Sequence, residues 1–138
     1  MIRMLTIAAL FVFAQSASVM AATCSGAYPA ITGVSVKQLS STGGLNQYQL
    51  TGTVVNQGTS GQSNNTLQSV DIYLVRDKLD AKSIPPLAAG QSATFTYVYQ
   101  RSSDSGAGTT TLNFKVDVTN PSPPGSEQCA PSSFDVKF

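Results

Sequence analysis

Tyr48-Gln49-Leu50-Thr51-Gly52-Thr53-Val54-Val55-Asn56-Gln57-Gly58 is the stretch that decides the fold. Tyr48, Leu50, Gly52 and Val54 alternate with polar residues at the period of two that marks a half-buried strand, and Asn56-Gln57-Gly58 supplies the turn chemistry that ends it. The same unit repeats in both directions. Upstream, residues 31–39 predict a strand with Val34 and Val36 inward and Ser35 and Lys37 toward solvent, and residues 40–44 turn the chain. Downstream, 58–65 hold no apolar residue and read as a loop, while 67–75 predict a strand with Val70, Ile72 and Leu74 on one face.

Residues 77–82 read as a charged turn. Pro85 and Pro86 cannot donate ladder hydrogen bonds, so the short strand at 83–87 belongs at a sheet edge or in a crossing between sheets. Gly90 marks another turn. Residues 93–100 carry Phe95, Tyr97 and Tyr99 on one face, which reads as core, because an aromatic row on one strand face is more often packed inward than offered to a sugar. After a loop at 102–108, residues 109–118 alternate most regularly, with Leu112, Phe114, Val116 and Val118 inward, and predict a central strand. Three prolines stiffen 121–128 before a last strand at 132–138 with Phe134, Val136 and Phe138 inward. Short strands separated by turn signals, without an amphipathic helix, predict an all-β fold: an immunoglobulin-like antiparallel β-sandwich of about seven strands.

The first residues have a different logic. Arg3, an apolar run over 5–13 and small or polar residues to Ala21 predict a secretory signal peptide over 1–21, and the run is too short to span a bilayer. Val19-Met20-Ala21 fits a small-residue cleavage site. Cys24 lacks the small residue before it that a lipidated cysteine needs, because Thr23 stands there. The mature chain would then be 22–138, 138 − 21 = 117 residues, which is one sandwich-sized domain. Without Arg3 it holds seven Lys/Arg against seven Asp/Glu, so no net field draws in nucleic acid or anionic lipid.

Export makes a disulfide the expected state of Cys24 and Cys129, the only cysteines. Strand parity agrees, since it brings the connections at 56–66 and 120–130 to the end of the sandwich where the first strand starts. The expected first and last strands pair there in parallel. Such a bridge closes about 105 residues and is worth roughly 4–5 kcal/mol in the chain-entropy model.

Several of these segments resemble a known family, the cell-adhesion-related domain of bacteria called CARDB. The similarity rests on Val55-Asn56-Gln57-Gly58, Val70-Asp71-Ile72-Tyr73-Leu74 and the turn Leu87-Ala88-Ala89-Gly90-Gln91-Ser92 into Phe95. It continues through Leu112-Asn113-Phe114-Lys115-Val116-Asp117 and the acid Glu127. The resemblance implies an immunoglobulin-like module of secreted and surface proteins. Where family members often carry Glu followed by paired asparagines, Gln128-Cys129 follows Glu127, so no role of those asparagines is transferred.

Catalysis has little to work with, because the chain has no His, no reactive thiol in an activating setting and no converging carboxylate pair. We expect no enzyme, no cofactor and no metal. Asp77-Lys78-Leu79-Asp80 lacks the dense oxygen ligands of a calcium loop and carries a repelling Lys78, so it reads as a solvated turn. Lys37 and Asp135, expected on neighbouring strands, suggest at most an exposed ion pair. An outer-membrane barrel, suggested by the terminal aromatic alternation, needs longer strands and an even count.

These readings favour a non-enzymatic protein-binding or adhesion module, periplasmic or secreted. Its partner would be another envelope or extracellular protein, with no nucleic acid and no transmembrane span after cleavage. A structural envelope subunit assembling through strand edges and a carbohydrate-binding module are the alternatives. The loop end at 56–66 and 120–128 is the candidate surface, with Asn56, Gln57, Gln62, Asn64, Asn65 and Glu127 as its binding residues, because a proline-stiffened loop loses less entropy on binding.

Overall fold

The computed structural model describes residues 26–102, 109–119 and 132–138. Among the described residues seven strands form in chain order: β1 Pro29–Thr42, β2 Leu45–Asn56, β3 Gln68–Leu74, β4 Asp77–Ile84, β5 Ser92–Ser102, β6 Thr111–Val118 and β7 Ser133–Lys137. They pair antiparallel in two sheets, β1-β2-β5 and β4-β3-β6-β7. The predicted immunoglobulin-like β-sandwich is the observed one, with β6 central as its alternation implied. Among the described residues no helix is long and apolar enough to cross a membrane.

The β1–β2 hairpin turns on Gly43 and Gly44 alone, with φ of 61° and 75°, the left-handed pair that a tight hairpin turn requires. The turn is therefore shorter than the predicted 40–44. Val36 corrects the inward assignment: it stands opposite Leu50 but is 36% exposed, because β1 is the outer strand of the narrower sheet. Beneath β2, the Gly52 hydrogen points at the Phe95 ring. A Cβ there would lie 2.1 Å from Phe95 Cζ, so only glycine lets that ring enter the core. Phe95 then packs on Phe114 at 5.5 Å between ring centres.

Residues 77–82 are not a turn. The chain already reverses at Val75-Arg76, with Val75 at φ 57°, and β4 begins at Asp77. Its charges suit a sheet edge, and Leu79 is the extra residue of a bulge between the pairs Ile72–Asp80 and Tyr73–Lys78. The two carboxylates of the rejected calcium loop face separate cations or solvent. Lys78 Nζ lies 3.1 Å from Asp71, and Asp80 pairs with Lys82 at 3.1 Å.

A further correction concerns the first and last strands, which do not pair. β7 adds to the free edge of β6, with Leu112 opposite Val136 and Phe114 opposite Phe134, and this register sends Val136 into the core. β1 is held along its length by β2 in the other sheet. Where both begin they are joined by the Ile31 N–H donating to Ser132 Oγ at 3.1 Å. Lys37 consequently faces Gln49, and Asp135 accepts from Asn113 Nδ2 at 2.7 Å.

Leu50, Val54, Val70, Ile72, Leu87, Leu112, Phe114 and Val116 are fully buried. Tyr97 and Tyr99 pack against this core, so the aromatic row of β5 is interior packing, as its parity implied. At the end holding the Gly43-Gly44 turn, Arg101 closes the sandwich. It donates to Thr110 Oγ1 (3.0 Å), the Phe138 carbonyl (2.9 Å) and Tyr48 Oη (3.0 Å), with its guanidinium 4.8 Å from the Tyr48 ring centre.

Candidate functional site

The opposite end is assembled around one residue. β2 delivers Asn56 as the last inward position of the alternation, so the side chain enters the base of the loops rather than solvent, and it is fully buried. Its Oδ1 accepts from the Tyr28 N–H (2.8 Å) and the Gly58 N–H (3.0 Å). Its Nδ2 donates to the carbonyls of Ser60 (2.9 Å) and Leu87 (3.1 Å). The backbone adds two bonds, Asn56 N–H to Gln91 O (3.0 Å) and Gly90 N–H to Asn56 O (2.8 Å). One amide thus ties the start of the described chain, the β2–β3 loop and the β4–β5 loop together, with every polar atom satisfied.

Gly58 lies hard against the incoming chain. A Cβ on it would fall 1.9 Å from the Gly26 carbonyl oxygen and 2.7 Å from Tyr28 N, both backbone, so no side chain fits without moving the main chain. Gln57 secures the same contact by donating its N–H to Tyr28 O at 2.8 Å.

Two glutamines build a second strut. Gln62 and Gln68 exchange amide hydrogen bonds of 2.8 and 2.7 Å, the Leu87 N–H donates to Gln62 Oε1 (3.0 Å), and Gln68 Nε2 also reaches Pro85 O (2.8 Å). The Gln62 N–H closes the pair on Leu87 O at 2.9 Å. Leu67 O then accepts from both the Thr119 N–H (2.9 Å) and Thr119 Oγ1 (3.1 Å), which fastens the β2–β3 loop to the end of β6. Parity places the 56–66 connection at the end where β1 starts, and the two touch there through Asn56 and Gln57; the 120–130 connection lies outside the described residues.

The residues singled out from sequence therefore divide. Asn56 and Gln62 are brought together, but as internal struts whose amides are used within the fold. Gln57, Asn64 and Asn65 are exposed on the rim. Glu127, Cys24 and Cys129 lie outside the described residues, as does the expected signal segment 1–21.

Between the rim and the β3–β4 edge runs an open groove of about 440 Å³, lined by Asn64, Leu67, Ser69, Ser83, Pro86 and Thr119 among others, none of them ionisable. Leu67 is 64% exposed at its margin and was not among the predicted binding residues. A signal for it existed: Val70, Ile72 and Leu74 face inward, so residue 67 falls on the outward parity, where an apolar side chain is out of place.

Charge sits elsewhere. The hydrogen bond to Asp71 raises the Lys78 pKa above its ordinary value, and the Ala81 N–H, followed by Lys82, lowers that of Asp80. Both groups are on β4, whose charged positions stay off the groove. Among the described residues no three acidic or cysteine side chains gather as metal ligands do. Among the described residues, the chemistry this end offers is neutral hydrogen bonding on a rigid base, with Leu67 exposed beside a polar rim.

Compared with models of known families, residues 31–122 match the CARDB family. No curated protein matches the chain.

Proposed function

Because the chain belongs to the CARDB family, whose domains are related to cell adhesion, we propose that it is an exported, non-enzymatic binding module that recognises another extracytoplasmic protein through its loop end. The observation that carries this reading is the Asn56 network. A loop tied by one buried amide to two neighbouring segments loses little further freedom when it binds, so more of the contact energy appears as affinity. Leu67 beside the exposed Asn64 then supplies an apolar centre with a polar margin, the arrangement interfaces use.

Assembly through strand edges is less favoured. β1 has register shifts at Ile31/Gly33 and Gln38/Ser40 and carries Lys37, the devices that keep an edge from templating further strands.

Photocrosslinking in the native envelope tests the proposal. A photoreactive amino acid at Asn64 or Leu67 should yield a discrete adduct with one partner, whereas the same group at Val75, in the turn at the opposite end, should not. Adducts arising from Val75 alone would transfer recognition to the other end.

A further inference from the structure

The two outer faces of the sandwich differ in charge. On the four-stranded sheet the register sets Asp71 beside Lys115, Asp117 beside Ser69 and Asp135 beside Asn113, with Lys78 and Lys137 on the flanking strands. Acids and bases alternate there, and Lys78 bridges Asp71 at 3.1 Å. The three-stranded sheet shows none of this. Its outward positions form the rows Gly33–Thr53–Thr94, Ser35–Thr51–Thr96, Lys37–Gln49–Val98 and Ser40–Gln47–Gln100. Lys37 is the one ionisable group in them.

At the centre, Thr51-Gly52-Thr53 and Thr94-Phe95-Thr96 run antiparallel in register, with Thr51 opposite Thr96 and Thr53 opposite Thr94. Thr51, Thr94 and Thr96 are exposed, and their hydroxyls have no partner among the described residues. The bonds that Thr32 and Ser35 make to carbonyls of this face are long, 3.4 Å each. Gly52 keeps the square regular from below, because the Phe95 ring occupies the space where its side chain would be.

Size and charge select the occupant. Strands are about 4.8 Å apart and same-face residues about 6.8 Å apart along a strand, so the four rows make a strip about 10 Å wide and about 20 Å long. That is about 200 Å², well under the ~800 Å² per partner of a stable protein interface, so a folded protein or a second copy set flat on it would be poorly held. An anionic polymer would find only Lys37. Hydroxyls and amides that both donate and accept, beside the methyls of threonine and Val98, match a narrow, repeating, uncharged chain with hydroxyls on its edges and C–H groups on its faces.

We infer that this face is a binding site for a neutral, unbranched polysaccharide lying along the strands, separate from the loop end. No aromatic platform is present to add stacking, so a short oligomer should bind with a Kd of about 1 mM and gain strength only on a long chain.

The test is a titration of the protein, labelled at its Thr and Val methyl groups, followed by NMR. Neutral gluco-, manno- and galacto-configured hexasaccharides are the probes, with hexagalacturonate as the anionic control. One neutral hexasaccharide should shift the methyl signals of Thr51, Thr94, Thr96 and Val98 saturably, and the uronate should bind less well. Thr96→Glu should weaken binding at least tenfold with the melting temperature unchanged. If that variant folds poorly, Thr94→Lys serves, since its side chain also points away from the core. The inference is overturned if no probe moves these signals, if shifts are confined to the loop end, or if the uronate binds best. It is equally overturned if the same signals move with protein concentration alone, which would make a second copy the occupant.

Discussion

Replacing Asn56 with alanine should cost about 3–5 kcal/mol of stability, although the residue looks from sequence like an ordinary turn asparagine. The side chain makes four hydrogen bonds of 2.8–3.1 Å, all to backbone groups and none replaceable by alanine. A net value of about 1 kcal/mol per bond gives about 4, and buried groups left unsatisfied add to that where water cannot enter. Against a total of about 5–15 kcal/mol, this is about a quarter of the stability or more. Urea denaturation with a constant m-value measures it, and Asn64→Ala on the exposed rim is the control. Asn56→Asp adds a signed test. The carboxylate keeps both acceptor contacts but faces the Ser60 and Leu87 carbonyls, so its folded pKa is raised above the unfolded value of about 3.9. The variant should therefore be most stable below that value and lose stability as pH rises through the folded one. A loss below about 1 kcal/mol for Asn56→Ala would refute the network as the base of the loop end.

Phe114→Ala should cost about 3–5 kcal/mol by chemical denaturation, since the ring is fully buried, while Asn113→Ala, which loses only exposed contacts to Ser133 and Asp135, should cost about 1 or less. Gly58→Ala should loosen the contact of the loop with Gly26 and Tyr28, read as faster amide exchange at Gln57, with the exchange of β6 unchanged. Peptide mapping without reductant should recover Cys24 joined to Cys129, and reduction should lower the melting temperature; two free thiols would exclude the bridge. Asp80 is held below its ordinary 3.8, so its contribution to stability is present above 3.8 and lost as pH falls through the lower folded value; Asp80→Asn should lie below wild type near neutrality and converge with it in acid.

Strands whose inward residues are apolar were legible because burial on one face imposes the period of two, as in Leu112, Phe114 and Val116. β4 escaped that logic. Lys82 stands opposite Val70, on the core side of the sheet, and an edge strand tolerates this because the stem can lie toward Tyr97, with Nζ 5.9 Å from the ring centre. Its charged run therefore resembled a turn. The partner of β7 was illegible for another reason, since Phe134 and Val136 would point inward from either sheet and alternation alone cannot say which edge a strand joins. At the loop end, parity placed the 56–66 connection beside the start of β1, where it is found, but residue type misled. From sequence Asn56 and Gln62 look like surface amides, yet an amide is also the side chain best able to satisfy several backbone groups in a dry interior.

The two ends of the sandwich are closed by different chemistry, and the difference bears on which end binds. At the far end a cation does the work: Arg101 lies against Tyr48 and Phe138 and spends its donors on the last described residue and on Thr110. A partner covering that end would have to desolvate a guanidinium already well paired, at a cost without a matching gain. At the loop end Asn56, Gln62 and Gln68 hold the base without any charge, and the groove beside them has no ionisable lining. Covering the described part of it removes only neutral groups from water, together with the apolar surface of Leu67. Among the described residues this balance favours the loop end, and if the proposed recognition uses the groove it should depend on shape and neutral hydrogen bonds, with little sensitivity to salt.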